Sequence, residues 1–357
     1  MIISADVRTY ILYKLKKLRK QFPHFSELIE SKTFINKGIS GPQNFLSELL
    51  ISIEENKLAK ITPNLLSSNI HLLNFGFYSK IWHYIPLKPK RQVLLRLDGI
   101  GIDSDNNYKK KDIEKNTLKL IERSSYLIYQ SSFCKNCFTD IYGSLPSGEV
   151  IINGANKDLP ISELSLNIQS NINTYFKKKY FVVAGRYTSR KRIQEVINEF
   201  NNFDIGNLIV LSNVPEKMKF KNRRILYLGM INPNIARYII SNSISLIHFD
   251  RYDWCPNIVV NAVFDGIPII CSNFGGTPEI ANKGSFIVDE FPKDLPHNLE
   301  GINFAKKVDF PSLLFKERII DVWKIEPNKK PNKSYDIKYT SKRYINLADM
   351  LMKLKIN

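Results

Sequence analysis

From residue 179 to residue 288, short apolar runs alternate with helix-like segments, and this alternation restricts the fold more than any other feature of the sequence. The runs KYFVVAG, NLIVLS, RRILYLG, SISLIHF, IPIICS and GSFIV are nearly continuous in apolar residues. Such runs are typical of strands that are covered on both faces, as in a parallel sheet between helix layers. The segments between them, such as RIQEVINEF and PNIARYIISN, have the apolar spacing of amphipathic helices. We therefore predict a doubly wound α/β sheet.

A weaker alternation precedes it. Strand-like runs TFINKG, IHLLNFGF, RQVLLRLDG, SYLIYQS and GEVIING are separated by helix candidates such as NFLSELLISIEEN and DIEKNTLKLIERS. A chain of 357 residues is long enough for two domains. We predict two Rossmann-like domains, residues 1–160 and 179–325, joined by a polar linker at 161–178. Residues 326–357 form a C-terminal segment whose helix is expected to pack back on the first domain.

The first thirty residues predict a basic helix. Apolar Val7, Ile11, Leu15 and Leu18 recur at helical spacing among the lysines and arginines of KLKKLRK. Two interpretations stay open: a helix packed on the first domain with a solvated basic face, or an anchor on an anionic membrane surface. The net charge of +18 attracts anions in general, and part of it reflects a Lys-, Asn- and Ile-rich composition.

Several functional classes are disfavoured. We expect no membrane span and no signal peptide, because no apolar run reaches eighteen residues and the N-terminal basic cluster follows the apolar residues. Four cysteines in a chain of this length predict free thiols and a cytoplasmic protein, and Cys134-x-x-Cys137 lacks a second pair for zinc. Nucleic acid is not expected as a partner, since no basic-aromatic motif accompanies the charge.

Other polar residues are expected to be structural. Asp103-Ser-Asp105 has the spacing of a metal-binding D-x-D motif, but in a two-Rossmann chain it predicts a polar loop. His71, His83 and His248 are expected to pack in the interior, and no metal-ligand set is visible.

The carboxyl end of the strand KYFVVAG carries a cluster of cations. Gly185 and Arg186 end the strand, and Arg190, Lys191 and Arg192 lead into the next helix. Because open α/β sheets bind ligands at the carboxyl ends of their strands, and helix N-termini favour anions, this arrangement predicts a phosphate site.

Two further strand ends complete the predicted site. In HFDRYDWCPN, Asn257 is expected to cap the following helix, whose free amides would face a ligand. In CSNFGGTPEIA, Gly275 and Gly276 allow the backbone to approach a ligand closely before a new helix.

These residues resemble the donor domain of glycosyltransferase family four, whose members have the GT-B fold. Gly185-Arg186 with Lys191, followed by DWCPNIVVNAVFDGIPIICSNFGGTPEIA, is similar to the family's Gly-Arg, its lysine five residues later, and its Glu-x7-Glu and G-x-P motifs. GPQNFLSEL, with Gly41 and Pro42, resembles the acceptor-side glycine loop more loosely. The resemblance covers about residues 33–290, and it implies two Rossmann-like domains that face each other across a cleft.

The resemblance implies a retaining glycosyltransferase that moves a sugar from a nucleotide-diphosphate sugar to a glycan or lipid-linked acceptor, without a metal or other cofactor. Arg186 and Lys191 would neutralise the diphosphate, Asp253 would contact sugar hydroxyls, and Asp98 would lie near the acceptor. The remaining donor-side positions are Gly185, Cys255, Pro256, Asn257, Ile258, Asn261, Gly275, Gly276, Thr277 and Glu279. By analogy, the setting is bacterial surface polysaccharide biosynthesis, in the cytoplasm or at the inner face of the plasma membrane.

The sequence departs from the family pattern at two positions. Asp253 replaces the first Glu and keeps its charge. Asn261 replaces the second Glu, so one hydrogen bond to the ribose loses its charge assistance, a change of about 1 kcal/mol. A working enzyme is therefore expected, and the alternative is a non-catalytic protein, derived from such an enzyme, that binds a sugar nucleotide or glycan.

Overall fold

The structure, a computed structural model, describes residues 1–5, 7–21, 41–64, 67–74, 92–100, 118–156, 163–176, 179–281, 285–325 and 329–354. The predicted strand TFINKG and the residues His83, Asp103 and Asp105 lie outside these ranges. The described residues form two compact units. One unit contains those up to Asn156 together with those from Asp336 onward, and the other contains residues 163–335.

The first unit is built on a parallel sheet of six strands. The strands are β1 Ile2–Ala5, β2 Lys60–Thr62, β3 Ile70–Asn74, β4 Gln92–Leu97, β5 Tyr126–Tyr129 and β6 Gly148–Val150, in the order β2-β1-β3-β4-β5-β6. Its helices are α1 Val7–Gln21, α2 Gly41–Glu55 and α3 Ser132–Tyr142, with helical residues at 118–122. The order is that of a doubly wound sheet that reverses between β1 and β3.

The second unit contains a second parallel sheet of six strands. The strands are β7 Phe181–Ala184, β8 Leu208–Leu211, β9 Ile225–Tyr227, β10 Ser245–His248, β11 Ile269–Ser272 and β12 Phe286–Val288, in the order β12-β11-β10-β7-β8-β9. Its helices are α4 Glu163–Phe176, α5 Ile193–Asn202, α6 Pro233–Ser241, α7 Asn257–Phe264, α8 Thr277–Ile280, α9 Leu299–Ala305 and α10 Ser312–Lys324. Each of the six apolar runs predicted as strands contains one of them. The predicted α/β class, with two Rossmann-like sheets, is therefore confirmed.

The predicted linker at 161–178 is wrong for most of its length, because helix α4 occupies residues 163–176. Ile172 and Gln169 of α4 are buried, and Gln169 accepts a hydrogen bond from the buried hydroxyl of Tyr180. The helix was missed because its composition is rich in Asn and Ser, which have modest helix propensity, and because few apolar residues mark its packed face.

The N-terminal basic helix exists, but the chain begins with a strand. Residues 2–5 form β1, which pairs in parallel with both β2 and β3. Helix α1 buries Leu12 and Tyr13, whereas Ile11, predicted to lie on the apolar face, is 52% exposed.

Two lysines of α1 form ion pairs within the first unit. Lys16 pairs with Glu48 at 2.5 Å and Lys17 pairs with Glu54 at 2.6 Å, both acids belonging to α2. These two ion pairs favour the interpretation of α1 as a helix packed on the first unit. None of the described helices combines the length and the apolarity needed to cross a lipid bilayer.

The last helix, α11 Ile337–Lys353, packs on the core of the first unit. Its buried Ile337, Tyr344 and Leu351 join that core. Burial of side chains of this size contributes about 1.5–3 kcal/mol each. In the second unit, Phe315 of α10 is fully buried against Phe200 and Phe249, which fixes α10 on the sheet.

Candidate functional site

The predicted site lies where the strand order of the second sheet reverses. Strands β7 and β10 are neighbours in the sheet, although along the chain β7 is the first strand of this sheet and β10 is the fourth. Loops that leave two such strands run in opposite directions and open a crevice at their carboxyl ends. The segment after β7 contains Gly185 to Lys191, and the segment after β10 contains Asp250 to Asp253.

Lys191 folds back across the end of β7. Gly185 has a φ of +136°, and a Cβ at this position would lie 2.9 Å from Cδ of Lys191. Glycine is therefore required both by the backbone conformation and by the passage of the lysine stem. The Lys191 Nζ reaches Asp250 Oδ2 at 2.8 Å and Asp253 Oδ2 at 3.5 Å. The predicted diphosphate lysine is thus held between two carboxylates.

Arg190 binds the same carboxylate from a second direction. Its guanidinium lies 3.3 Å from Asp250 Oδ2 and donates a hydrogen bond of 2.8 Å to the carbonyl of Tyr252. Burial lowers the pKa of Lys191, but Asp250 and Asp253 more than offset this effect and raise that pKa above its ordinary value. Burial is the largest effect on the pKa of Asp253 and raises it, but Lys191, His248 and Arg190 together lower it further, so the net pKa lies below the usual range. Lys191 therefore stays protonated and Asp253 ionised at neutral pH.

The other two cations of the predicted cluster, Arg192 and Arg186, lie in different environments. Arg192, in a left-handed conformation with φ of 53°, is buried and pairs with Glu290, so it does not contribute to an anion site. Arg186 is exposed, and among the residues that the structure describes no carboxylate lies within ion-pair range of it. Of the four predicted cations, Arg186 is thus the one that pairs with no acid in the described part of the chain.

The glycine pair after β11 fixes the backbone of Asp253. Gly276 donates its amide to the carbonyl of Asp253 at 2.6 Å. Gly275 has a φ of +91°, and a Cβ here would lie 3.2 Å from the amide nitrogen of Asp253. The predicted close approach at this glycine pair is therefore made to the chain's own Asp253 segment.

Two residues of the site escaped the sequence analysis. Asp250, fully buried, is the principal partner of Lys191. His248, expected to be a packing residue, lies beside them: its Nδ1 is 3.1 Å from Thr277 Oγ1 and its Nε2 is 3.9 Å from Asp253 Oδ2. Burial, with Lys191 adding to the effect, lowers the pKa of His248 to about 3, so the imidazole is neutral. The one feature of the sequence that could have indicated Asp250 and His248 is their position at the carboxyl end of a buried strand.

Helix α7 begins in the segment that follows β10. The predicted cap by Asn257 is wrong: Asn257 is the first helical residue, and the N-cap position is Pro256, which has no side-chain acceptor. The proline carbonyl accepts from the amides of Val259 and Val260. Ile258 lies in the first turn of this helix, so its amide belongs to the turn that the helix dipole makes attractive to anions.

Asn261 and Glu279 lie on the two helices that follow these loops. Asn261 is half-buried on α7, and within the described part of the chain its side chain forms no hydrogen bond. Glu279 lies in the first turn of α8. The hydroxyl of Tyr335 donates a hydrogen bond of 3.0 Å to the carbonyl of Ile280 in α8, and burial raises the pKa of Tyr335, with Cys255 and Glu279 adding to that rise.

In the first unit, Asp98 follows strand β4 and pairs with the fully buried Arg96. Asp98 Oδ1 also accepts a hydrogen bond of 3.0 Å from Gln130, which follows β5. Arg96 donates to Asn74 Oδ1 at 3.0 Å and to Asn153 Oδ1 at 2.8 Å. The carboxyl ends of four neighbouring strands therefore meet in one polar cluster around Asp98.

The other predicted first-unit features lie in ordinary secondary structure. Gly41 and Pro42, predicted as a loop, form the first turn of α2, where proline is well tolerated because its missing amide would have no helical partner. Cys134 and Cys137 are buried free thiols on α3, as predicted.

Comparison of the whole structure with solved structures gives many matches. The Anabaena protein HepE, solved in complex with UDP and glucose, has a TM-score of 0.59 and 13% sequence identity, covering 98% of this chain and 99% of that chain. Sucrose-phosphate synthase from Thermosynechococcus elongatus has a TM-score of 0.52 and 14% identity, covering 89% and 81%. A UDP-forming trehalose-phosphate synthase from Burkholderia xenovorans has a TM-score of 0.53 and 10% identity, covering 98% of each chain.

The sequence itself gives no such match. No protein-family model matches the chain, and no curated protein matches its sequence. The similarity therefore lies in the fold, and the chain has the GT-B fold, with two Rossmann-like units.

Proposed function

We propose that the chain is a retaining glycosyltransferase that moves a sugar from a nucleotide-diphosphate sugar to a glycan or lipid-linked acceptor. The observation that carries the proposal is the position of Lys191 and Asp253 at the strand reversal of the second sheet, beside the glycine pair and the open N-terminus of α7. The GT-B fold supports it, because the similar structures include sugar-phosphate synthases and HepE with UDP-glucose.

In this proposal, positive charge stabilises the leaving diphosphate. Arg186 is exposed, and no acid among the residues that the structure describes pairs with it; Lys191 Nζ lies 3.5 Å from Asp253 Oδ2. Fixed charges that face developing negative charge are usually the largest contribution to catalysis. Asp253 contacts sugar hydroxyls, and the amides of α7 approach the phosphates. Asn261 faces the ribose, and Gly275, Gly276, Thr277 and Glu279 line the same pocket.

The acceptor belongs to the first unit in this proposal, where Asp98 is the carboxylate nearest the reacting hydroxyl. Asp98 lies in a polar cluster of side chains that can hold a hydroxyl-rich ligand. Bacterial surface polysaccharide assembly and peripheral attachment to anionic membranes through α1 remain part of the proposal. Failure of the protein to sediment with anionic vesicles at low salt would remove the attachment.

The direct test is transfer or hydrolysis of nucleotide sugars by the purified chain, beginning with UDP-glucose. We expect Arg186→Ala and Lys191→Ala each to lower turnover by about two orders of magnitude, since one such contact contributes roughly 3 kcal/mol in the transition state. Lys219→Ala is the matched control, because Lys219 pairs with Glu216 on the surface of the same unit. Near-normal turnover in both site variants would contradict the proposal.

No divalent metal is required in this proposal, since cations of the protein lie at the phosphate position. Activity that is lost in a chelator and restored by manganese would contradict this part. Such a result would direct attention to the D-x-D residues Asp103 and Asp105.

A second candidate function is a protein that binds sugar nucleotides without catalysis. The specific observation in its favour is that Asp250 and Asp253 already match the charges of Arg190 and Lys191, while Asn261 lacks the charge of the family's carboxylate. A panel of nucleotide sugars scored by thermal shift separates the candidates. Stabilisation by a donor that is neither hydrolysed nor transferred would favour the binding protein.

A further inference from the structure

Three side chains around Lys191 have the chemistry of a metal-ligand set. One ring nitrogen of His248 and one carboxylate oxygen each from Asp250 and Asp253 lie within 4.8 Å of one another. Imidazole and carboxylate are common ligands of divalent ions such as Zn²⁺. The buried Nε2 of His248 has no hydrogen-bond partner in the part of the chain that the structure describes.

The Lys191 ammonium is seated in this set. It lies 2.8 Å from the Asp250 oxygen and 3.5 Å from the Asp253 oxygen. Charge-assisted N–H···O bonds are about 2.8 Å long, so an ammonium spans ligands that are spread over this range. A zinc ion with bonds of about 2.1 Å reaches ligands that are at most about 4.2 Å apart, so the three groups would have to draw in around it.

The charges around the set also favour the ammonium over a metal ion. Arg190 lies 3.3 Å from the same Asp250 oxygen, so two protein cations already face two carboxylates. A divalent ion that entered would meet the repulsion of both cations at short range, where the dielectric screening is weak.

We infer that Lys191 is the resident cation of a His248–Asp250–Asp253 metal-ligand set, and that its ammonium keeps divalent ions out of the donor pocket. The chain carries its own cation on a flexible stem at a place where ligands for a metal ion are already assembled. The consequence for catalysis, a metal-free charge next to the diphosphate, rests on the proposed function. The existence of the ligand set does not.

The experiment is to remove the ammonium and measure metal binding in the full-length protein without nucleotide. Wild type and Lys191→Ala are titrated with Co²⁺, followed by visible absorption, and with Zn²⁺, followed by calorimetry. We expect one site per chain in the variant, with an affinity at least about 30-fold higher than in wild type, since one repelling charge at contact distance has been removed. Addition of His248→Ala to this variant should weaken binding by about tenfold or more, because a ligand is lost.

Two control variants make the result decisive. Lys219→Ala removes a lysine from a surface pair with Glu216 and should create no site. Lys191→Met keeps an aliphatic stem over Gly185 and should show the same gain if the alanine variant loses its fold. Equal affinity in wild type and the Lys191 variants, or a gain that persists without His248, would overturn the inference. Because the readout is metal binding, this result is independent of whether the chain transfers a sugar.

Discussion

At the scale of single residues, the site depends on the balance between cations and carboxylates at the end of β10. Asp250 is fully buried and contacts both Arg190 and Lys191. A buried charge that loses its partner is strongly destabilising, so this group of side chains behaves as one unit. Arg186 lies outside that balance, and for this reason we propose it as the first contact of the diphosphate.

Asn261 provides a residue-scale prediction on the donor. Asn261→Glu should tighten binding of a nucleoside diphosphate such as UDP by up to about tenfold, because a charged acceptor strengthens a hydrogen bond to the ribose. Turnover should change little, since ribose contacts hold the ground state and the transition state alike. The dissociation constant is measured by calorimetry.

Asn234→Glu, at an exposed position on α6, is the matched control for charge. Equal binding by wild type and the Asn261→Glu variant would show that Asn261 does not face the ribose. An Asn261→Glu variant that transfers sugar where the natural chain does not would instead establish the binding-protein alternative.

His248 provides a prediction for the pH dependence of stability. Its pKa is about 3 in the folded chain and about 6.5 in an unfolded one. Between these values the unfolded chain binds a proton that the folded chain does not, so the free energy of unfolding decreases as the pH is lowered from about 6.5 to about 3. The loss is up to about 1.4 kcal/mol per pH unit. His248→Gln should remove most of this slope in urea unfolding between about pH 6 and pH 4.5.

His297→Gln is the companion variant, because it removes an imidazole that stacks on Phe274 outside the Lys191 cluster. A slope that is the same in wild type and His248→Gln would mean that His248 accepts a proton in the folded chain.

At the scale of elements, the segment after β6 contacts helix α11. This contact joins the two stretches of chain that make up the first unit, the one that ends at Asn156 and the one that begins at Asp336. The carbonyl of Ala155 accepts from the amide of Ile337 at 2.9 Å. A Cβ on Gly154 would lie 2.5 Å from the Cα of Ile337 and 2.9 Å from its backbone nitrogen. Glycine is therefore required by the close approach of two backbones.

Gly154→Ala should displace the start of α11 and lower the free energy of unfolding by about 1–3 kcal/mol, as overpacking of an interior does. The measurement is the urea midpoint of the full chain. Lys342→Ala, on the exposed face of α11, should change stability by less than about 0.5 kcal/mol. An unchanged midpoint for Gly154→Ala would contradict the packing described for α11.

At the scale of the whole molecule, our proposal predicts which of the two units binds a nucleotide. We expect UDP to slow hydrogen exchange in the segments after β7, β10 and β11, because a ligand that binds only the folded state suppresses local opening at its site. The amides near Gly185, Asp253 and Gly275 are the ones to follow by mass spectrometry. Protection confined to the first unit would contradict our proposal, which assigns the nucleotide to the second unit.

Local pattern determined the class of the fold and most elements of the second unit. Its four central strands, β7, β8, β10 and β11, are buried along their whole length, so each is a nearly continuous apolar run that can be recognised without knowing its neighbours. Two of the elements that were missed carry weak local signals: β1 has four residues, and among the described side chains of α4 only Ile172 and Gln169 are buried. The candidate phosphate residues Arg186 and Lys191 were found because cations at a strand end form a local pattern as well.

The partners of those residues were decided only by the tertiary structure. Lys191 and Asp250 are 59 residues apart, and His248 and Thr277 are 29 apart. No spacing in the sequence states that β7 and β10 lie side by side, since that depends on the order in which strands join the sheet. The sequence therefore determined that a cation cluster stands at a strand end. The strand order brings the buried Asp250, the partly buried Asp253 and an imidazole against that end. It thereby decided that Lys191 is held among them and that Arg186 is left exposed.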